Sequence, residues 1–195
     1  MKRMFFTFLI VLLAGLSNNV RAVEWRFDHP HTNIGFSITH LVISDVTGRF
    51  TEFDGTFSSP GDGFEGSQVS ITIKTASIDT DNEKRDKHLR SADFFDAEKH
   101  PEITFKSTSF ENVGEKKYKI SGRFMMNGVT RDIALDATLT GVIDDPWGGT
   151  RAGFKATTTL DRYDYNLTYN KALETGGFLI GRDVDIIINV ELIKN

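Results

Sequence analysis

The feature that most constrains this chain is an alternation of apolar and polar residues in steps of two, which recurs in about eight segments. In the first segment Ile34, Phe36 and Ile38 alternate with polar or small residues. The pattern returns in residues 46–57, 69–73, 103–105, 118–126, 133–139, 152–160 and 184–192. Successive side chains of an extended strand point to opposite faces, so each segment predicts a strand with one apolar face.

Short turns join most of these segments. Asn127-Gly128 is the strongest hairpin signal, because both residues tolerate the left-handed backbone that a two-residue turn requires. The apolar phase shifts between Phe50 and Phe53, which predicts a bulge near Glu52 that bends the strand. About eight antiparallel strands close into a barrel or fold into a sandwich, and a barrel of this size has room for one small ligand.

One helix interrupts the strands, at about residues 81–95. Thr80 lies three residues before Glu83, which is the spacing of a capping box at a helix start. Pro101 disfavours helical geometry at the residue before it and restarts an extended chain. The sequence therefore predicts a short helix between two strands, opened by Thr80.

This helical segment places charges beside aromatic residues. Arg85 and His88 lie in a charged run, and Phe94 and Phe95 follow later in the same segment. They could form a lid whose polar rim meets the polar end of an apolar ligand. Alternatively, a solvated amphipathic helix covers one end of the barrel, with Leu89 and the two phenylalanines as core contacts. The pattern alone favours the second account.

Residues 1–22 have the pattern of a secretory signal peptide. Two cations, an apolar run and a small residue at Ala22 follow in the required order. The apolar run is shorter than the ~20 residues that a membrane span needs, and no other candidate span follows. We expect cleavage after Ala22. The remaining residues 23–195 show no break in composition, which predicts a single domain.

Composition excludes several classes of function. The chain has no cysteine, so disulfides, thiol nucleophiles and thiolate zinc sites are ruled out. Its net charge of −4 becomes −7 when Lys2, Arg3 and Arg21 leave with the signal peptide. An acidic exported protein without a basic stripe is a poor nucleic-acid binder, and we expect no nucleic-acid partner.

Motifs for chemistry are weak. His29 and His31 share one face of an extended segment, but no third ligand lies near them in sequence, so no metal site is predicted. His88 with Asp86 could serve as an acid and base, yet the chain has no nucleophile elbow and no marked pair of carboxylates. Binding is favoured over catalysis. The long connection 161–181 is rich in tyrosine, which predicts an ordered and functional loop.

Several stretches together resemble the YceI-like family of bacterial periplasmic proteins. The most specific is IDTDNEKRDKHLRSADFFDAEKHPEITF at residues 78–105, supported by FDHPHTNIGFSITH, GRFTEFDGTF, ISGRFMMNGVTRDI and GRDVDIIINVEL. The resemblance implies a lipocalin-like, extended antiparallel barrel whose cavity holds a polyisoprenoid chain, often in a dimer. It also implies a periplasmic location. The isoprenoid ligand follows from the resemblance, since alternation shows only an apolar face.

The resemblance and the alternation together give candidate site residues. The expected cavity lining is Phe36, Ile38, Phe50, Ile71, Ile73, Phe105, Phe124, Leu135, Phe154 and Ile186. Arg85, His88 and Arg162 are the candidates for binding the head group, which is an isoprenoid quinone or a prenyl phosphate. We expect a carrier without a further cofactor. The alternatives are an enzyme that acts on such a lipid through His88, Asp86 and Arg85, or a stress-related interaction protein.

Overall fold

The computed structural model describes residues 22–61, 63–172 and 176–195, so the predicted signal peptide lies outside the described residues except for Ala22. The strands are β1 (Val23–Phe27), β2 (Asn33–His40), β3 (Ser44–Phe50), β4 (Phe53–Ser59), β5 (Gln68–Lys74), β6 (Ile78–Asp79), β7 (Glu102–Gly114), β8 (Lys117–Met126), β9 (Val129–Asp144), β10 (Thr150–Asp161) and β11 (Ile180–Lys194). Helix α1 spans Glu83–Arg90. Within these ranges, no helix is long and apolar enough to cross a membrane.

The strands form one closed antiparallel barrel. Its ring runs β1-β4-β5-β7-β8-β9-β10-β11, and β11 returns to pair with β1. Strand β2 also pairs with β11, β3 pairs with β2, and β6 pairs with β3. Thus β1 with β2, β3 with β4, and β5 with β6 each act as one bent strand. The prediction of an all-β, antiparallel, eight-stranded barrel with one short helix is confirmed.

The predicted bend near Glu52 is present. Strand β3 ends at Phe50 and β4 begins at Phe53. Across the break, Thr51 N–H donates to Ser77 O at 3.1 Å, and Glu52 O accepts from Lys74 N–H at 2.9 Å. The backbone groups of the bend are therefore satisfied while the strand changes direction, as barrel closure requires.

The predicted two-residue turn is also present. Asn127 and Gly128 connect β8 to β9 with φ values of 49° and 75°. A Cβ at Gly128 would lie 2.8 Å from Cε1 of His100. Glycine is thus required here both by the backbone and by the neighbouring ring.

The helix prediction was right in place and wrong in detail. Helix α1 is shorter than residues 81–95, and its N-cap is Asn82, whose Oδ1 accepts from Arg85 N–H at 3.0 Å. Thr80 does not cap. Its N–H and its hydroxyl both donate to Oδ1 of the buried Asp86, at 3.0 and 2.5 Å. This carboxylate holds the hydroxyl that a capping box would have used.

The two ends of the barrel differ. At one end, which we call the base, lie the start of β1, the β7–β8 and β9–β10 turns and the end of β11. There an aromatic cluster fills the interior; its members are Trp25, Phe57, Phe64, Phe110, Tyr118 and Phe154. The rings of Phe64 and Phe154 pack edge to face at 4.9 Å. At the other end, which we call the mouth, lie α1, the Asn127-Gly128 turn and the loop that follows β10.

Candidate functional site

Between the base cluster and the mouth, the barrel encloses a cavity of about 840 Å³. This volume lies in the range of small-molecule binding sites. All ten residues expected from the sequence line it: Phe36, Ile38, Phe50, Ile71, Ile73, Phe105, Phe124, Leu135, Phe154 and Ile186. Six of them are only half-buried, namely Phe36, Ile38, Phe50, Ile71, Phe124 and Ile186. These side chains border the cavity instead of packing fully against protein.

Two glycines make room for the cavity phenylalanines. A Cβ at Gly48 would lie 2.4 Å from Cζ of Phe36, and one at Gly122 would lie 2.5 Å from Cζ of Phe105. Such separations are far below a van der Waals contact, so any side chain at either position would displace the ring above it. The strands thus set the shape of the cavity through residues that have no side chain.

Helix α1 covers part of the mouth and is tied to the barrel by two arginines. Arg85 donates to Thr80, from Nε to the hydroxyl at 2.7 Å and from Nη2 to the carbonyl at 2.8 Å. Arg90 donates to the carbonyls of Ala76 and Ile78, both at 2.7 Å. Leu89, Phe94 and Phe95 line the cavity below, together with Arg85 and His88. The segment therefore combines an apolar inner face with a polar rim, so features of both sequence interpretations are present.

His88 links α1 to the loop after β10. Its Nε2 lies 3.0 Å from Asp93 Oδ2, and its ring packs edge to face against Phe94 and Tyr169, each at 5.0 Å. The carboxylate of Asp86 instead binds Thr80. The acid and base proposed from the sequence thus have separate hydrogen-bond partners, and the geometry does not assemble them into a catalytic pair.

Arg162 is the third predicted head-group residue, and it is buried, with only 3% of its surface exposed. Its Nε donates to Gly181 O at 2.7 Å and its Nη1 donates to Leu167 O, while Nη2 has no hydrogen-bond partner among the described residues. Cζ lies 4.7 Å from the ring centre of Tyr163. Burial lowers the pKa of Arg162, although interactions with Tyr163 and Asp161 oppose the shift.

The loop after β10 is held by its own polar groups. Asp161 accepts from Tyr163 N–H at 2.9 Å at the start of a short helical turn, Arg162–Tyr165. Asn170 exchanges two hydrogen bonds with the backbone of Ile180, at 2.8 and 3.1 Å. In its described parts the loop is thus hydrogen-bonded to the barrel, which keeps Arg162 at a fixed place in the cavity wall.

Lys84 and Tyr169 are among the cavity-lining residues of the mouth that were not predicted as site residues. Lys84 could have been found, because it lies one helical turn before His88 and so shares its face of α1. Tyr169 gave no such signal. It reaches His88 and Phe94 from a loop that is distant in sequence.

At the base, Arg151 binds three carboxylates. Its Nε lies 2.7 Å from Asp145 Oδ2, and its Nη1 lies 2.5 Å from both Asp28 Oδ2 and Glu191 Oε1. Burial opposes ionisation of Asp28, but hydrogen bonds from Arg151 and His31 outweigh it and lower the pKa of this carboxyl. The hydrogen bond from Arg151 likewise lowers the pKa of Asp145. This network joins β10 to β11 and to the turn after β1.

Three residues of the base lie close enough together to be considered as metal ligands. Asp28, His31 and Glu191 each offer a ligand atom, and these atoms lie within 4.8 Å of one another. Both carboxylates, however, already bind the guanidinium of Arg151. The guanidinium of Arg151 supplies the positive charge that a metal ion would otherwise provide. The geometry therefore favours a structural ion network.

Comparison with known proteins agrees with this architecture. The sequence profile of the YceI-like domain matches residues 25–192. The chain belongs to the YceI-like family. A UPF0312 protein of Pectobacterium atrosepticum is 39% identical over 196 residues, which cover 100% of this chain and 98% of the relative.

Solved structures show the same fold. The YceI protein of Campylobacter jejuni is 33% identical, with a TM-score of 0.69, and the match covers 86% of this chain and 96% of that one. A polyisoprenoid binding domain from Saccharophagus degradans is 13% identical, with a TM-score of 0.66 over 89% of this chain and 99% of that one. At this identity the second comparison concerns the fold alone.

Proposed function

We propose that this protein is a periplasmic carrier for a polyisoprenoid lipid, whose tail lies in the barrel cavity and whose head group lies at the mouth. One observation carries the proposal: an apolar cavity of about 840 Å³ ends in aromatic rings at the base, and the basic residues of its lining lie towards the mouth. A long amphiphile fits this polarity. The polyisoprenoid-binding domain of similar fold supports the choice of lipid.

The cavity volume sets the length of tail that can be buried. At ~30 Å³ for each water-sized group, 840 Å³ holds about 30 non-hydrogen atoms, or about six isoprene units. At ~0.3 kcal/mol for each atom, burial would contribute about 9 kcal/mol, which corresponds to a dissociation constant below micromolar. The hydrophobic effect alone thus supports useful affinity, with no need for a reaction.

The remaining parts of the proposal concern the head group and the setting. Arg85, His88 and Arg162 all lie in the cavity wall, where they could meet a quinone or a phosphate. The N-terminal signal pattern supports export to the periplasm, and a homodimer is proposed from the family resemblance. The separate partners of Asp86 and His88 support binding over acid–base catalysis.

Native mass spectrometry of protein purified from the periplasm tests this function. We expect about one lipid per chain, and solvent extraction should identify an isoprenoid tail. Protein purified without lipid should take up an added polyprenyl phosphate or isoprenoid quinone. If the purified protein contains no lipid and also binds neither added lipid, the proposed carrier function is wrong.

A further inference from the structure

The charges that line the cavity are all of one sign. Lys84, Arg85 and Arg162 line it, together with two histidines, His40 and His88. Among the described residues, the lining includes no aspartate and no glutamate. Yet the whole chain carries 27 acidic and 23 basic residues. The cavity lining of this acidic protein thus has three cations and no carboxylate among the described residues, which favours an anionic ligand group over a cationic one.

Arg162 has a buried guanidinium nitrogen, Nη2, with no hydrogen-bond partner among the described residues. It is buried, and its hydrogen bonds go to two neutral carbonyls, those of Gly181 and Leu167. The nearby carboxylate of Asp161 accepts from Arg182, at 2.5 Å from Nη2, and from Tyr163 N–H. A buried guanidinium without a hydrogen-bonded anion is costly, and so is the unpartnered Nη2. One oxyanion beside Arg162 would offset both costs.

A second cation at the mouth is also uncommitted. Lys84 lies in the first turn of α1 and is exposed, and it forms no ion pair with the residues that the structure describes. It differs in this respect from Arg85, whose Nε and Nη2 are held by Thr80. Lys84 is therefore free to pair with a charged group that emerges from the cavity.

We propose that the lipid bears an anionic oxygen head group, a phosphate or a carboxylate, that binds Arg162 and is attracted to the cations of the mouth. This inference rests on the carrier function and makes it more specific, because a neutral quinone would leave the guanidinium of Arg162 without a hydrogen-bonded anion. Nε and Nη1 of Arg162 already donate to carbonyls, and the unpartnered Nη2 can donate a charge-assisted hydrogen bond to this oxyanion.

The test compares lipids that share one tail. Dissociation constants are measured by isothermal titration for a polyprenyl phosphate, the matching polyprenol and a prenyl carboxylic acid, each of about six isoprene units. We expect the wild-type protein to bind the phosphate at least tenfold more tightly than the alcohol. The carboxylic acid distinguishes a general anion site, which binds it nearly as well, from one specific for phosphate. Equal affinity for all three lipids would overturn the inference and leave the carrier function intact, whereas binding of none would overturn the carrier function.

Variants assign the preference to Arg162. In Arg162→Met we expect the preference for phosphate over alcohol to fall at least tenfold, while Arg162→Lys retains part of it. Lys171→Met is the matched control, since it removes one cation from the same loop but not from the cavity wall, and its preference should not change. If Arg162→Met loses affinity for both lipids equally, the arginine is only structural. Because the wild-type comparison requires no substitution, a misfolded variant does not remove the test.

Discussion

Two arginines lie at the two ends of strand β10, and their hydrogen-bond partners differ in charge. Arg151, near its start at the base, binds the carboxylates of Asp28, Asp145 and Glu191. Arg162, just after its end at the mouth, is more deeply buried, and its hydrogen bonds to the described residues go to carbonyls alone. The first guanidinium is hydrogen-bonded to carboxylates of the protein, and the second is not. Strand β10 thus connects a base joined by ion pairs with a mouth where one guanidinium nitrogen has no partner among the described residues.

The apolar residues show the same contrast. At the base, Phe154 contacts the rings of Phe57, Phe64 and Phe110 at 4.9 to 6.1 Å. Closer to the mouth, Phe36 is half-buried, with Phe50 as its aromatic neighbour at 6.1 Å. Both side chains line the cavity, yet Phe154 is buried among other rings whereas Phe36 is half-buried. Stability and binding are therefore expected to depend on different ends of the barrel.

The largest effect should come from removing an aromatic ring at the base. Phe154→Ala should lower the free energy of unfolding by about 3–5 kcal/mol, because it leaves a void among packed rings. Phe36→Ala should cost about 1 kcal/mol, since much of its ring already borders the cavity. Urea unfolding of both variants, purified free of lipid, measures the difference. Equal costs would show that the base and the cavity are packed alike.

The next effect is a loss of stability at acidic pH, caused by the ion network of the base. The carboxyls of Asp28 and Asp145 have lowered pKa values in the folded protein, so their ionic contacts stabilise it above the unfolded pKa of about 4 and are lost as the pH falls through the folded values. Arg151→Met should lower the melting temperature by several degrees at pH 7 and by less at pH 3. Lys155→Met, an exposed position on the same strand, is the control. A melting-temperature difference that is independent of pH would contradict the network.

Features set by neighbouring residues were predictable from the sequence, and features set by distant residues were not. The strands, the bend near Glu52 and the Asn127-Gly128 turn were predictable, because alternation and turn geometry are local. The capping box at Thr80 failed since Asp86, six residues later, binds the hydroxyl. The base network was not predictable, because Asp28 and Arg151 are 123 residues apart and neither lies in a motif.

The candidate site was predictable as a set of inward-facing residues but not as a shape. Alternation assigns Phe36 and Phe154 to the interior in the same way, and nothing local distinguishes a ring that borders a cavity from one that packs in a cluster. Likewise, Arg85 and Arg162 both read as polar residues beside aromatic ones. Only the folded chain shows that the first is partly committed to Thr80 and that the second keeps an unpartnered nitrogen.

Filling the cavity should separate binding from stability. Ala156 is buried, lines the cavity and lies in the middle of β10. In Ala156→Phe the added ring occupies space that the lipid tail needs, so affinity for a polyprenyl phosphate should fall at least tenfold, while the lipid-free protein melts near the wild-type temperature. For wild-type protein, lipid at 100 times its dissociation constant should stabilise the fold by about 2.7 kcal/mol. Thermal melts with and without lipid measure both quantities. An unchanged response to lipid in the variant would place the tail elsewhere.

The smallest effect tests whether the mouth is the less stable end. Asn82→Ala removes the side-chain oxygen that caps α1, which should cost about 1 kcal/mol of local helix stability. Because α1 covers the mouth and not the base, we expect faster amide exchange in residues 83–90 and faster lipid release, with exchange in β10 unchanged. Hydrogen exchange followed by mass spectrometry resolves these segments. If exchange rises equally in β10, the helix and the barrel open together, and the two ends are not independent.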